Sequence, residues 1–211
     1  MPHALVLTAH PSLQLSVVNR ALHEAALAVA GGDGIEVRDL YALYPDYLID
    51  VSAEQAAVER ADLLVWLHPT QWYSMPALMK LWVDEVLAYG WAYGHSGKRL
   101  HGKDLWLVTS TGGRQSAYRP SGYNRYFFEA FLHPYEQTAA LCGLRFLPPL
   151  VLHGALRVSE AELAGHVGTF IARLQSYPDW PELENMEECP VHDVPPCSRA
   201  PASPDSSAAA R

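Results

Sequence analysis

Short apolar runs alternate along the chain with longer stretches in which apolar residues recur every three or four positions. Residues 4–8, 35–40, 61–67, 104–109 and a run near 150–153 have the length and composition of strands. Between them, Val17, Val18, Ala21, Leu22, Ala25 and Ala26 fall at helical spacing. So do Leu78, Leu81, Trp82 and Val86, and later Leu163, Val167, Phe170, Ile171 and Leu174. The run at 61–67 lacks polar alternation, as a parallel strand buried on both faces should. Five strands alternating with helices predict an α/β chain: a doubly wound, five-stranded parallel sheet with right-handed crossovers and helices on both faces.

Capping and breaking residues set the expected boundaries. Ser16 is a good N-cap for the first helix, and Ser159-Glu-Ala-Glu162 begins the last one. Ser52-Ala-Glu-Gln55 has the form of a capping box ahead of a helix over 53–60. Pro69 should end the third strand, and Pro76 should open a helix reaching about Tyr89. Phe127, Phe128, Phe131, Leu132 and Tyr135 read as one side of a helix that kinks or restarts at Pro134. Residues 41–52 are expected to run over the surface, and 95–103 to form a polar, mobile link. From Pro178 the composition changes. Residues 178–211 hold 7 of the 16 prolines, and their charge, 2 basic minus 7 acidic, is −5 of the total −8. A folded domain over 1–177 followed by a disordered acidic tail over 178–211 is therefore expected.

Composition narrows the function. With 211 residues, 49% of them hydrophobic and only 18% charged, the chain is long enough for one well-buried domain. Its negative balance, without a basic stripe, argues against nucleic acid. Apolar runs too short for a membrane span and an N-terminus that enters a strand directly point to a cytoplasmic protein. Cys142, Cys189 and Cys197 are an odd number with two in the tail, so neither disulfides nor zinc are supported. His10 and His68 both end strands, but no third residue has metal-ligand spacing, and no metal is expected.

Candidate chemistry gathers in three loops, each at the carboxyl end of a strand, where open α/β sheets bind ligands. The first carries His10 and the helix start Ser16-Val17-Val18-Asn19, whose free N–H groups and dipole suit an anion such as a phosphate. A capped helix beside a loop histidine explains the same residues. The second, Thr70-Gln71-Trp72-Tyr73, pairs adjacent aromatics with an amide and suits a flat, partly polar ring, although a surface turn with an aromatic anchor also fits. The third, Ser110-Thr111-Gly112-Gly113, lets backbone N–H groups approach a ligand because glycine has no Cβ.

Taken together, the AHP, HPTQWYSMPALMKLW, GWAYG and STGG segments resemble the NAD(P)H:quinone oxidoreductase family of flavodoxin-like flavoproteins, over nearly all of residues 3–176. Within it, DLYALYPDYLIDVSAEQAAVERADLLVWLHPTQWYSMP, LHGKDLW and CGLRFLPP are similar to the small ancillary subunit of Kef-type glutathione-regulated potassium efflux systems. The resemblance implies a bound flavin, FMN rather than FAD, and a ping-pong transfer of two electrons from NAD(P)H to a quinone. It implies that His10 and residues 16–19 hold the phosphate, and that Thr70–Tyr73 and Ser110–Gly113 border the ring from its two sides. Tyr118 matches the active-site tyrosine. Six residues further on, where mammalian-type members carry a histidine, stands Asn124, which can hydrogen-bond but not shuttle a proton near neutral pH. The resemblance also implies a homodimer, to which Trp82, Tyr89, Trp91, Tyr93 and Phe127-Phe128 would contribute aromatic surface. The alternative is a flavin-binding regulatory subunit that activates a membrane potassium efflux transporter, its redox activity secondary.

Overall fold

A computed structural model describes residues 3–31 and 34–186. In chain order its main elements are β1 (Ala4–Thr8), α1 (Val17–Val29), β2 (Ile35–Asp39), α2 (Leu40–Leu43), α3 (Val51–Arg60) and β3 (Leu63–Pro69). They continue with α4 (Ala77–Val86), β4 (Asp104–Thr111), α5 (His133–Cys142), β5 (Arg145–His153) and α6 (Glu160–Ser176). The strands form one parallel sheet in the order β2-β1-β3-β4-β5. Because the chain steps outward from β1 to β2 and then crosses to β3, the order reverses between β1 and β3, which opens a crevice at their carboxyl ends.

Both sheet faces are apolar, which is why the strands read as continuous runs. On one face Ala4, Val6, Leu63, Val65, Leu67, Trp106 and Val108 pack against Val18, Leu22 and Ala26 of α1 and Phe170 and Leu174 of α6. On the other, Leu5, Leu7, Leu64, Trp66, Leu105 and Leu107 meet α3, α4 and α5 through residues such as Val58, Trp82 and Ala139. Within this second layer Glu54 is wholly buried, yet its carboxylate accepts from Arg38 (2.6 Å), Tyr44 (2.6 Å) and Trp82 Nε1 (2.8 Å). Burying that charge is tolerable only because a guanidinium and two further donors meet it.

Several boundaries depart from the sequence pattern for local reasons. Asp50, not Ser52, caps α3: its carboxylate accepts from Ala53 N, and Ser52 sits inside the helix donating back to Asp50. Residues 41–52 are not a simple surface connection, since Asp39 caps the one-turn α2 and Tyr44 is buried on Glu54. Pro69 still pairs with Ser110 as the last residue of β3, and α4 stops at Val86, short of Tyr89. Phe128–Phe131 is a separate 3-10 turn, and Pro134 lies in the first turn of α5, so the helix restarts there. β5 begins at Arg145, earlier than the run near 150–153, and runs through Pro148 and Pro149. As an edge strand it pairs on one side only, and its register with β4 slips at these prolines.

The link over 95–103 is anchored, with Leu100 fully buried and Lys103 Nζ donating to the carbonyls of Glu59 and Ala61. Trp82 and Phe128, expected to enlarge an exposed aromatic surface, belong to the core. At the far end, ordered packing runs past residue 177. Trp180 is 3% exposed, meets Trp106 edge-on at 5.0 Å and donates to the Arg173 carbonyl. Gly32, Asp33 and the rest of the tail from 187, with Cys189 and Cys197, lie outside the described residues. Among the described residues, no helix is long and apolar enough to cross a membrane.

Candidate functional site

The first wall of the crevice is the segment from β1 to α1. Ser16 has extended backbone and its hydroxyl accepts from Asn19 N at 3.1 Å, as an N-cap should. The Val17 and Val18 N–H groups find no partner among the described residues, which leaves donors at the positive end of the helix dipole. Val18 is buried, so only its backbone serves, whereas Val17 is exposed. Arg20 turns along the helix to Glu24, at 3.9 Å, leaving this end with backbone rather than side-chain cationic donors. His10 Nδ1 accepts from Ser12 N at 3.0 Å, so the ring carries its proton on Nε2. Burial lowers its pKa, against the pull of Asp39, and the ring is a neutral Nε2–H donor at pH 7.

Asn19 joins this wall to the next. It is 2% exposed, and its amide nitrogen donates both to Ser16 Oγ (3.1 Å) and to Ser110 Oγ (3.0 Å) at the end of β4, while its Oδ1 has no partner among the described residues. The β3 and β4 loops are fastened in turn: Thr70 N donates to the Ser110 carbonyl at 2.7 Å, and the Thr70 and Thr109 hydroxyls lie 3.1 Å apart. Ser110 and Thr111 are buried and shape the loop, while Gly112 and Gly113 line a cavity. Thr111 spends its hydroxyl proton on the Gly113 carbonyl at 2.7 Å. A Cβ at Gly113 would stand 2.5 Å from the Tyr123 hydroxyl, so the close approach there requires glycine or a displaced tyrosine.

In the β3 loop, Gln71 and Ser74 bridge each other and force Trp72 and Tyr73 into the left-handed region at φ 49° and 64°. Trp72 projects outward and is 93% exposed. Tyr73 stacks on Phe131, with centroids 5.1 Å apart, and its hydroxyl reaches Asn124 Oδ1 at 3.5 Å. Tyr118 is buried between the edges of Phe128 and Phe131. Desolvation raises its pKa above the ordinary value of 10, against the lowering effect of the Thr111 and Asn124 side chains. The phenol is therefore protonated at neutral pH.

Sequence reasoning missed the contribution of the β5–α6 connection. Two adjoining cavities open there, of about 410 and 580 Å³, sharing Arg114, Gly154 and Arg157; Ala117, Tyr123 and Leu156 wall the first and His153, Glu162 and His166 the second. His153 lies at a strand tip just as His10 does, which is the signal that would have marked it.

A five-stranded parallel sheet of order β2-β1-β3-β4-β5 with an anion-ready helix start at its switch point is the arrangement of flavodoxin-like proteins. Residues 2–174 match the sequence family described by the flavodoxin-like fold, and the chain belongs to that family. Among solved structures it is similar to a thermophilic tryptophan halogenase from Streptomycin violaceusniger, with 41% identity, a TM-score of 0.75, and 81% of this chain and 97% of that one covered. It is similar to general stress protein 14 from Treponema denticola in complex with FMN, at 38% identity and TM-score 0.75 over 81% and 97% of the two chains. It is similar, too, to an NADPH-quinone reductase from P. pentosaceus, at 26% identity and TM-score 0.72 over 83% and 96%.

Proposed function

We propose that this chain is an FMN-dependent NAD(P)H:quinone oxidoreductase working by a ping-pong mechanism. The observation that carries the reading is the Asn19–Ser110 hydrogen bond, which fastens the α1 start, with its free N–H groups, to the β4 end that leads into Gly112–Gly113. FMN in the Treponema relative and the quinone-reductase name of another support it. The residues present fit the cofactor. Val17 N, Val18 N and His10 Nε2–H are donors suited to a phosphate, and Gly112, where a Cβ would meet only Leu156 at 3.7 Å, leaves room along the loop for a flat ring.

When bound, FMN supplies the two-electron step between a nicotinamide and a quinone. The protein's part is to bind, orient and protonate. Asn19 holds the phosphate end and the glycine edge at fixed separation through its two hydrogen bonds. Tyr73 and Phe131 wall the opening, and Trp72 stands exposed beside it, available to cover a planar acceptor. Tyr118 offers its proton to the acceptor oxygen on which negative charge develops. A carbonyl acceptor needs such an acid, which favours a quinone over the halogenase chemistry named for one relative. Nicotinamide and quinone use the same opening in turn. Exposed Tyr123, Tyr126 and Phe127 around it, at 74%, 63% and 60%, suit coverage by a second copy in a homodimer.

The test is steady-state oxidation of NADH and NADPH with a panel of quinones, on protein reconstituted with FMN. Parallel reciprocal plots are expected; intersecting plots reject the shared opening, and absence of turnover rejects the activity. Sedimentation at micromolar concentration should give a dimer.

A further inference from the structure

Resting on the quinone-reductase reading, we propose that His153 is the titratable member of a proton path, His153 Nδ1 to Thr111 Oγ1 to Tyr118 Oη, which does for this chain what Asn124 cannot. β4–β5 pairing sets Thr111 directly beside His153, and their Oγ1 and Nδ1 atoms lie 3.0 Å apart. Thr111 has one hydroxyl proton and gives it to the Gly113 carbonyl, so across that 3.0 Å contact His153 must be the donor. The ring is thereby fixed as the Nδ1–H tautomer, with Nε2 bare. Its centroid lies 5.4 Å from that of the Tyr118 ring, and the Thr111 hydroxyl, which at rest bonds to the Gly113 carbonyl, is near enough to the phenol to pull its pKa down against burial.

A quinone becoming a hydroquinone gains two electrons and two protons. One proton travels with the electron pair as hydride, so an acid must supply the other. Tyr118 gives its proton to the quinone oxygen, and Thr111, its hydroxyl swinging from the Gly113 carbonyl, gives its own to Tyr118. His153 passes the Nδ1 proton to Thr111 and takes one at Nε2 from solvent in the cavity it lines. One proton has entered, one has left, and no protein charge remains. The transfers are expected to run together, because burial makes a Tyr118 phenolate costly to leave behind. The groups around the His153 ring are Tyr118, the edge of Phe128, Glu129, and across the cavity Arg114, Arg157, Glu162 and His166. Burial outweighs the Glu129 charge and holds the ring neutral at pH 7.

The first test needs neither flavin nor turnover. Imidazole nitrogen NMR of the flavin-free protein should show His153 protonated at Nδ1 and bare at Nε2; the opposite tautomer overturns the path. The second uses FMN-loaded protein, reduced in advance and mixed with benzoquinone. In the wild type the oxidation rate should rise as pH falls through the His153 pKa. His153→Asn keeps a donor toward Thr111 but cannot titrate, and should lose that limb and at least about tenfold in rate. Reduction of the same variant by NAD(P)H, which needs no such proton, shows that it is folded and loaded. Thr111→Val should behave like His153→Asn, and Thr111→Ser should restore the rate. A His153→Asn protein with wild-type rate and pH profile overturns the inference alone. Wild-type protein that passes no electrons to a quinone sinks the functional reading and the inference with it.

Discussion

Asn19 on the first turn of α1 donates to Ser110 Oγ at the tip of β4, at 3.0 Å, and so bonds two segments 91 residues apart in the chain. Its other donation, to Ser16 Oγ, ties the helix cap into the same link. Asn19→Ala should therefore loosen the spacing between phosphate end and glycine edge. FMN affinity should fall roughly five- to tenfold, about 1–1.5 kcal/mol, by fluorescence titration. Unchanged affinity would mean that the two walls hold their spacing without this bond.

Gly122 approaches Ala117 so closely that a Cβ would lie 2.2 Å from the Ala117 carbonyl oxygen. The loop it closes is the one that carries Tyr118 and Asn124, with Asn124 N donating to that same carbonyl at 3.2 Å. Gly122→Ala must open the loop, at a cost of about 1–3 kcal/mol. Quinone turnover should drop while bound flavin and the helical circular dichroism persist. A variant with full turnover would remove this loop from the reacting wall.

How far the chain could be read beforehand depended on how local the cause was. Ser16 and the Ser159–Glu162 box were legible because a cap acts over three residues, and both form as expected. Asp50 and Ser52 are both good caps two residues apart, and only the structure shows Asp50 taking the Ala53 N–H. Pro148 and Pro149 argue against a strand until β5 is known to be an edge. Trp180 looked like tail because its partner, Trp106, is 74 residues away in the chain. The three loops of the candidate site could be placed at strand ends because those ends can be located from the apolar runs. The join between Thr111 and His153 was not, since it follows from a β4–β5 register that no local pattern encodes.

Tyr118→Phe removes one hydroxyl from a site whose aromatic packing, against Phe128 and Phe131, would remain. Flavin should stay bound, and quinone reduction should slow by the equivalent of about 1–3 kcal/mol of transition-state stabilisation. Reduction by NAD(P)H should be little changed. An unchanged quinone rate would show that water supplies the proton and that Tyr118 is only a wall.

His68 gives the protein a defined sensitivity to acid. It is fully buried at the end of β3, its ring stacked on Tyr135 at 5.8 Å, with Nδ1 3.0 Å from the Pro69 carbonyl and Nε2 without a partner among the described residues. Because a carbonyl only accepts, Nδ1 holds the proton and Nε2 is bare. Protonating Nε2 would place an uncompensated charge in the core, and burial lowers the pKa from 6.5 to about 4. The unfolded chain, with an ordinary pKa, binds the proton first as pH falls. The stability associated with neutral His68 is thus fully present above pH 6.5 and is lost progressively as pH falls from there to about 4. The full loss is on the order of 3 kcal/mol. His10, His23, His153 and His166, also lowered by burial, act in the same direction. Urea denaturation at pH 7.5 and pH 5 should show this decline, and His68→Phe, which keeps a ring against Tyr135, should flatten it. An equally steep decline in His68→Phe would assign the acid sensitivity to the other histidines.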